Sequence, residues 1–262
     1  MMEEWVARRI DSPHVLKPWL PARKRNFLYV VTEFIDGQTL RQWMIDNPHP
    51  ALETVRGIAE QIAKGLRAFH RKEMLHQDVR PDNIMIDSTG TVKIIDFGST
   101  RITGVVEAAP SGTRDDILGT QQYTAPEYFM DEPATSRSDL FSLGVVTYQM
   151  LTGRLPYGAQ VARARTRTDF NRLVYGPASH GGRDIPIWVD RTLERAVHPN
   201  PFKRYDSFSE FLFDLRHPNT KYLTTSSTPL IERNPVLFWK CTTLVLALAV
   251  VLLLAYGAHH YH

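Results

Sequence analysis

Apolar residues recur at Val55, Ile58, Ile62, Leu66 and Phe69 with mostly polar or small residues between them. That three-to-four spacing predicts an amphipathic helix over Val55–His70, packed on a core. A shorter helix is predicted over Leu40–Ile45. The end of another is predicted over residues 3–10, where Trp5, Val6 and Ile10 stand among charges and Asp11-Ser12-Pro13 stops the run. Val15–Leu20 and Phe27–Phe34 read as strands on either side of the basic turn Arg23-Lys24-Arg25. Further on, Ile84-Met85-Ile86 and Val92–Ile95 are short apolar runs separated by Ser88-Thr89-Gly90, which predicts a hairpin. An apolar helix opens at Ser138 and runs to Leu151, with Ser138 or Asp139 as its cap.

The last pattern lies toward the C-terminus. Residues 217–235 are rich in Pro, Thr, Ser and Asn and read as a linker, after which Cys241–Ala258 carries no charge. Extended back to Val236, the run is long enough to cross a hydrocarbon layer of roughly 30 Å at about 1.5 Å per residue. A transmembrane helix is therefore expected over 236–258, with Lys240 snorkelling at its edge and a short tail at 259–262. Arg233, before the span, and Lys240, near its N-terminal end, both lie on the side of the preceding region, so the positive-inside rule places that region in the cytoplasm.

Composition narrows the class. The 262 residues suit one large domain or two small ones, and 43% apolar content supports a sizeable core. A net charge of +3 and a pI near 9.0, with both signs interleaved, do not point to a nucleic-acid partner. The single cysteine, Cys241, excludes an internal disulfide framework and suits a reducing compartment. The opening Met1-Met2-Glu3-Glu4-Trp5 is acidic and does not read as a secretory signal.

The chemistry is concentrated in His76-Gln77-Asp78-Val79-Arg80-Pro81-Asp82-Asn83 and in Asp96-Phe97-Gly98 at the end of the hairpin. A short loop places Asp78, Arg80 and Asn83 together, and the hairpin returns a second carboxylate, Asp96, beside them. Phosphoryl transfer needs such a set: a carboxylate for the incoming hydroxyl, a cation for the moving group, and an amide and carboxylate for magnesium. Small-molecule phosphotransferases share a similar trio. Gly119-Thr120-Gln121-Gln122-Tyr123-Thr124-Ala125-Pro126-Glu127 decides against them, because it resembles the peptide-binding end of a protein kinase activation segment.

The chain thus resembles a eukaryotic-type Ser/Thr protein kinase of bacterial layout over roughly residues 3–216. The resemblance implies an α+β, protein-kinase-like fold: a small-lobe remnant at 1–35 and a mainly helical large lobe at 36–216. It implies ATP and Mg2+ as cofactors and a protein Ser/Thr hydroxyl as acceptor. Asp78 would be the base, Arg80 and Thr120 its catalytic partners, and Asn83 and Asp96 the metal ligands. Glu33 and Ile35, in a hinge-like Glu33-Phe34-Ile35-Asp36-Gly37, and Met85 would meet the nucleotide. His76 would pack beneath Phe97, Asp139 would hold the loop backbone, and Glu127 would pair with Arg204. Gln77 stands where relatives carry an arginine that reads a phosphorylated loop, which implies activity without loop phosphorylation; Thr103, Ser111 and Thr113 offer hydroxyls there.

Glu3 falls where the family places a helix glutamate, but its lysine partner and a glycine-rich loop are not in this sequence. The chain alone is therefore expected to be impaired, since one lost electrostatic partner commonly costs about 3–4 kcal/mol in the transition state. The alternative reading is a membrane-tethered, catalytically inactive binding module. Some bacterial relatives of this layout carry a phosphatase domain upstream, and the resemblance leaves such a domain or partner open.

Overall fold

In the computed structural model of this chain the described residues are 2–19, 29–102, 122–130, 132–164, 166–179, 184–219, 222 and 235–260. Within them, side chains at 2, 3, 101, 102, 159, 162, 163, 235–237 and 251–260 are not described. Met1–Pro218 and Asn219–His262 form two compact units.

Helix α3 (Leu52–His70) carries the periodic stripe, and Val55, Ile58, Ile62, Leu66 and Phe69 are all buried. It packs on α4 (Ser136–Thr152), whose residues from Ser138 to Tyr148 are buried without a break. A helix apolar on every side must be wrapped by others; α3 covers one flank and α6 (Ile187–Ala196) another, while α7 (Phe208–Arg216) packs on both α3 and α6. The short helices α1 (Met2–Ala7), α2 (Leu40–Asp46) and α5 (Arg167–Asn171) complete this unit's helices among the described residues.

The expected cap of α4 is corrected. Thr135 is the N-cap, accepting from Arg137 N, while Ser138 Oγ accepts the Thr135 N–H at 3.0 Å. Asp139, one position further, is turned into the core. Gly153 closes the helix at φ 70°, a conformation that disfavours a side chain.

The hairpin forms as β5 (Ile84–Asp87) and β6 (Val92–Ile94), with β3 (Gly37–Thr39) on the outer edge in the order β3-β5-β6, all antiparallel. Gly37 faces Asp87 so closely that a Cβ would lie 2.1 Å from the Ile86 carbonyl oxygen. The strands expected over Val15–Leu20 and Phe27–Phe34 are shorter than expected: β1 is Pro18–Trp19 and β2 Val31–Thr32, paired antiparallel. Pro18 has no N–H to extend the ladder, and the turn residues 23–25 lie outside the described residues. Val15 bridges to Ile94 instead, with Ile94 N donating to His14 O at 3.0 Å and Leu16 N to Ile94 O at 2.9 Å. The N-terminal segment is thereby laced to β6. Strand β4 (Met74–Leu75) pairs with β7 (Arg101–Ile102).

In the second unit, Pro235–His260 forms one helix, α8. Among the described residues, no helix is long and apolar enough to cross a membrane. The described side chains of α8 end at Val250, whereas the charge-free run continues to Ala258.

Candidate active site

The loop after β4 is shaped by one buried carboxylate. Asp139 Oδ1 accepts the Gln77 N–H at 3.0 Å, and Oδ2 accepts the His76 N–H at 3.0 Å and His70 Nε2 at 2.8 Å. Burial pushes the Asp139 carboxyl up, but the His70 bond and the Gln77 N–H outweigh it and hold the group below its ordinary value. Asp139 therefore stays an ionised acceptor in the core.

His76 is neutral and structural. Burial lowers its pKa, and its Nδ1 accepts the Asp78 N–H at 3.3 Å. The ring stands edge-on to Phe69 and Phe97, with centroids 5.3 and 6.3 Å away. Nε2 faces the Asp96 backbone without a hydrogen bond of normal geometry.

Asp78 and Asn83 are joined directly. Asn83 Nδ2 donates to Asp78 Oδ2 at 2.7 Å and to the Asp78 carbonyl at 3.0 Å. The tight turn Pro81–Asn83 sets this approach, with Asn83 N bonded to Arg80 O. The Asn83 carbonyl takes the Ile95 N–H at 3.0 Å, so the loop is hooked to the residue just before Asp96. Burial raises the Asp78 pKa; the Asn83 bond and the Arg80 charge oppose that rise, and the nearby Asp96 charge adds to it. Asp78 and Asp96 thus belong to one electrostatic neighbourhood.

Two oxygens are left for a ligand. With Nδ2 committed, Asn83 Oδ1 takes no hydrogen bond among the described residues, and Asp96 offers Oδ2 because Oδ1 accepts the Gly98 N–H at 2.9 Å. One amide and one carboxylate oxygen suit a hard cation that keeps water and phosphate as its other ligands. No group of three or more His, Cys, Asp or Glu among the described residues is placed to hold a metal.

Arg80 is held by Asp82, with Nε and Nη2 both 2.9 Å from Oδ2. Arg41, from α2, clamps the same carboxylate through both oxygens. The Arg41 hydrogen bonds, and after them Arg80, override burial and hold the Asp82 carboxyl at about 2. Arg41 was not legible as a site residue; the one signal was its place on the polar side of the Leu40–Ile45 pattern.

Glu33 and Ile35 lie just beyond β2. Neither the Glu33 carbonyl nor the Ile35 N–H has a hydrogen-bond partner among the described residues, so both backbone groups are available. The Glu33 carboxylate is engaged, by Lys17 N at 2.9 Å and Lys93 Nζ at 2.6 Å. Met85, half-buried in β5, sits opposite Thr39 and Lys93. Thr120, Thr103, Ser111 and Thr113 lie outside the described residues, as does the Glu3 side chain; the adjacent Glu4 is nearly buried and pairs with Arg8.

Behind the site, Arg204 forks onto Glu127 with both bonds at 2.8 Å, and Ser138 Oγ donates to Glu127 Oε1 at 2.6 Å. Arg204 also donates to the carbonyls of Arg137, His198 and Pro199. Burial works against the Glu127 charge, but Arg204 and Ser138 keep its pKa below the ordinary value. Ser142 Oγ holds the Tyr123 carbonyl at 2.7 Å, which fixes the end of the segment that enters this region.

Residues 1–213 match the family model described as the protein kinase domain. The serine/threonine-protein kinase PrkC of Bacillus subtilis is 26% identical, over 82% of this chain and 32% of its own length. PknB of Mycobacterium leprae is 33% identical, over 71% of this chain and 30% of its own length. PknL of Mycobacterium tuberculosis is 34% identical, over 78% of this chain and 50% of its own length. The chain spans about a third of the length of the first two.

Proposed function

This chain belongs to the protein kinase domain family, and from that premise we propose that it transfers the γ-phosphoryl group of ATP to Ser or Thr hydroxyls of protein substrates. The observation that carries the reading is the bridge made by Asn83. Its side chain binds the Asp78 carboxylate while its carbonyl binds Ile95, so base, amide and Asp96 share one locality.

Asp78 is the base. It orients the acceptor hydroxyl and takes its proton as the hydroxyl oxygen bonds to the γ-phosphorus and the bond to ADP breaks. Burial raises the Asp78 pKa and makes it a stronger base than an exposed aspartate. Asn83 Oδ1 and Asp96 would hold Mg2+, which when bound neutralises phosphate charge. Arg80, positioned by Asp82, supplies positive charge beside Asp78, and Thr120 is assigned to the same group from the sequence. The Glu33 carbonyl and Ile35 N–H would take the adenine edge, with Met85 beneath the ring.

The test is phosphate transfer from radiolabelled ATP to a generic Ser/Thr-rich protein, with phosphoamino-acid analysis of the product. Weak transfer to Ser/Thr by the chain alone, falling about 10²–10⁴-fold or to background in Asp78→Asn, is expected. Transfer no greater than that of Asp78→Asn, with Mg-ATP still raising the melting temperature, would replace the enzyme with the inactive binding module.

We propose further that residues 236–258 tether the chain to a membrane with the kinase region cytoplasmic. The support is the charge-free run in the sequence, and the exposed apolar side chains Leu244, Val245, Leu246, Leu248 and Val250 on α8. Expressed protein should resist carbonate extraction from membranes, and deletion of 236–262 should release it; equal extraction of both forms would end this reading.

A further inference from the structure

Lys93 has no place in the chemistry above, yet it is largely buried, with 15% of its side chain exposed, and its ammonium lies 2.6 Å from Glu33 Oε2. The other Glu33 oxygen takes the Lys17 N–H at 2.9 Å, and the Glu33 N–H returns to the Lys17 carbonyl at 3.0 Å. One carboxylate therefore fastens three segments: residues 14–17, the stretch after β2, and β6. Each leads somewhere that matters. The stretch after β2 presents the Glu33 carbonyl and Ile35 N–H. Strand β6 runs from Lys93 through Ile94, bonded to His14 and Leu16, and Ile95, bonded to Asn83, into Asp96.

We infer that Lys93 is a positioning residue that couples the adenine-binding stretch at 33–35, through Glu33, to the segment that carries Asp96 beyond β6. The inference rests on the nucleotide assignment proposed above. Its physical basis is that Glu33 is only about a quarter exposed and that, among the described residues, its carboxylate is held by Lys93 and the Lys17 N–H. Without Lys93, the carboxylate must turn to water to be solvated, because a half-buried charge tolerates loss of its counter-ion poorly. Turning it carries the Glu33 backbone away from Lys17, and the edge offered to the nucleotide loses its register with Asp96.

The experiment uses the full chain with Lys93→Met, which keeps the length and removes the charge, and Lys93→Arg, which restores charge. Hydrogen exchange by mass spectrometry is read at 29–36 and 94–98, and affinity for a fluorescent trinitrophenyl-ATP is measured with Mg2+. Lys93→Met should speed exchange in both windows while α4 and α6 stay protected. It should also weaken nucleotide binding about fivefold, the scale of one partly exposed ion pair. Lys93→Arg should restore both readouts. Unchanged exchange at 29–36, or faster exchange spread through α4 and α6, would overturn the coupling. If the wild-type chain binds no nucleotide while the two windows still respond together, the coupling stands and the nucleotide assignment falls.

Discussion

Gln77 has a left-handed φ of 68°, and its N–H is held by Asp139 Oδ1 at 3.0 Å. A non-glycine residue in that conformation costs about 1–3 kcal/mol and persists only where its surroundings enforce it. Asp139→Ala removes the enforcement and leaves His70 and two backbone N–H groups without their acceptor. A loss of about 2–4 kcal/mol is expected in urea unfolding followed by circular dichroism. Asp139→Asn should lose less, because an amide still accepts through one oxygen; equal losses would mean that the oxygen the amide keeps contributes nothing.

Glu127 and Arg204 are both almost completely buried. Glu127→Ala strands the guanidinium and is expected to cost about 3–5 kcal/mol. Combining Glu127→Leu with Arg204→Met should be less destabilising than the sum of the single changes, because no charge is then left unpaired. Additive losses in a double-mutant cycle would contradict a coupled pair.

Asp82 sets a test in acid. Its folded value of about 2 lies below the ordinary 3.8, so protons bind the unfolded chain more tightly. The stabilisation is therefore complete above about pH 5 and is lost as pH falls toward 2. Because the carboxylate is about one-third exposed, solvent screening limits the contribution to roughly 1 kcal/mol. Arg41→Ala should be less stable than wild type by about that amount at pH 7, with the gap closing by pH 2; a gap independent of pH would rule out this linkage.

Asp78 shifts the other way. Its raised pKa means the fold favours the neutral form, so the favourable proton-binding contribution to stability is lost as pH rises through the folded value. Asp78→Asn should consequently raise the melting temperature at pH 7 while removing activity. The acid limb of kcat/KM in the wild type should lie above the ordinary aspartate range. A lower melting temperature for Asp78→Asn, at full solubility, would argue that the charge supports the fold.

Much of the site was legible because its groups are close in sequence. Asp78, Arg80 and Asn83 sit within six residues, and the hairpin that returns Asp96 was written in two apolar runs and a Ser-Thr-Gly turn. The stripe on α3 was equally clear, since a helix periodic on one face has one way to bury it. The apolar runs near the N-terminus are longer than the strands they form, because an apolar run does not encode which backbone groups find partners. Pro18 and the docking of Val15 on Ile94 limited the first of them.

Residue order alone dictates which chemical groups are present, their succession in the loop, the stripe that α3 buries and the apolar run of α4. It takes the folded chain to make Thr135 rather than Ser138 the cap of α4, to bring Arg41 and Arg80 onto Asp82, and to pair Lys93 with Glu33. The physical reason is distance along the chain. Lys93 and Glu33 are 60 residues apart and Arg41 and Asp82 are 41, and no local periodicity encodes which charges a packed core will bring together.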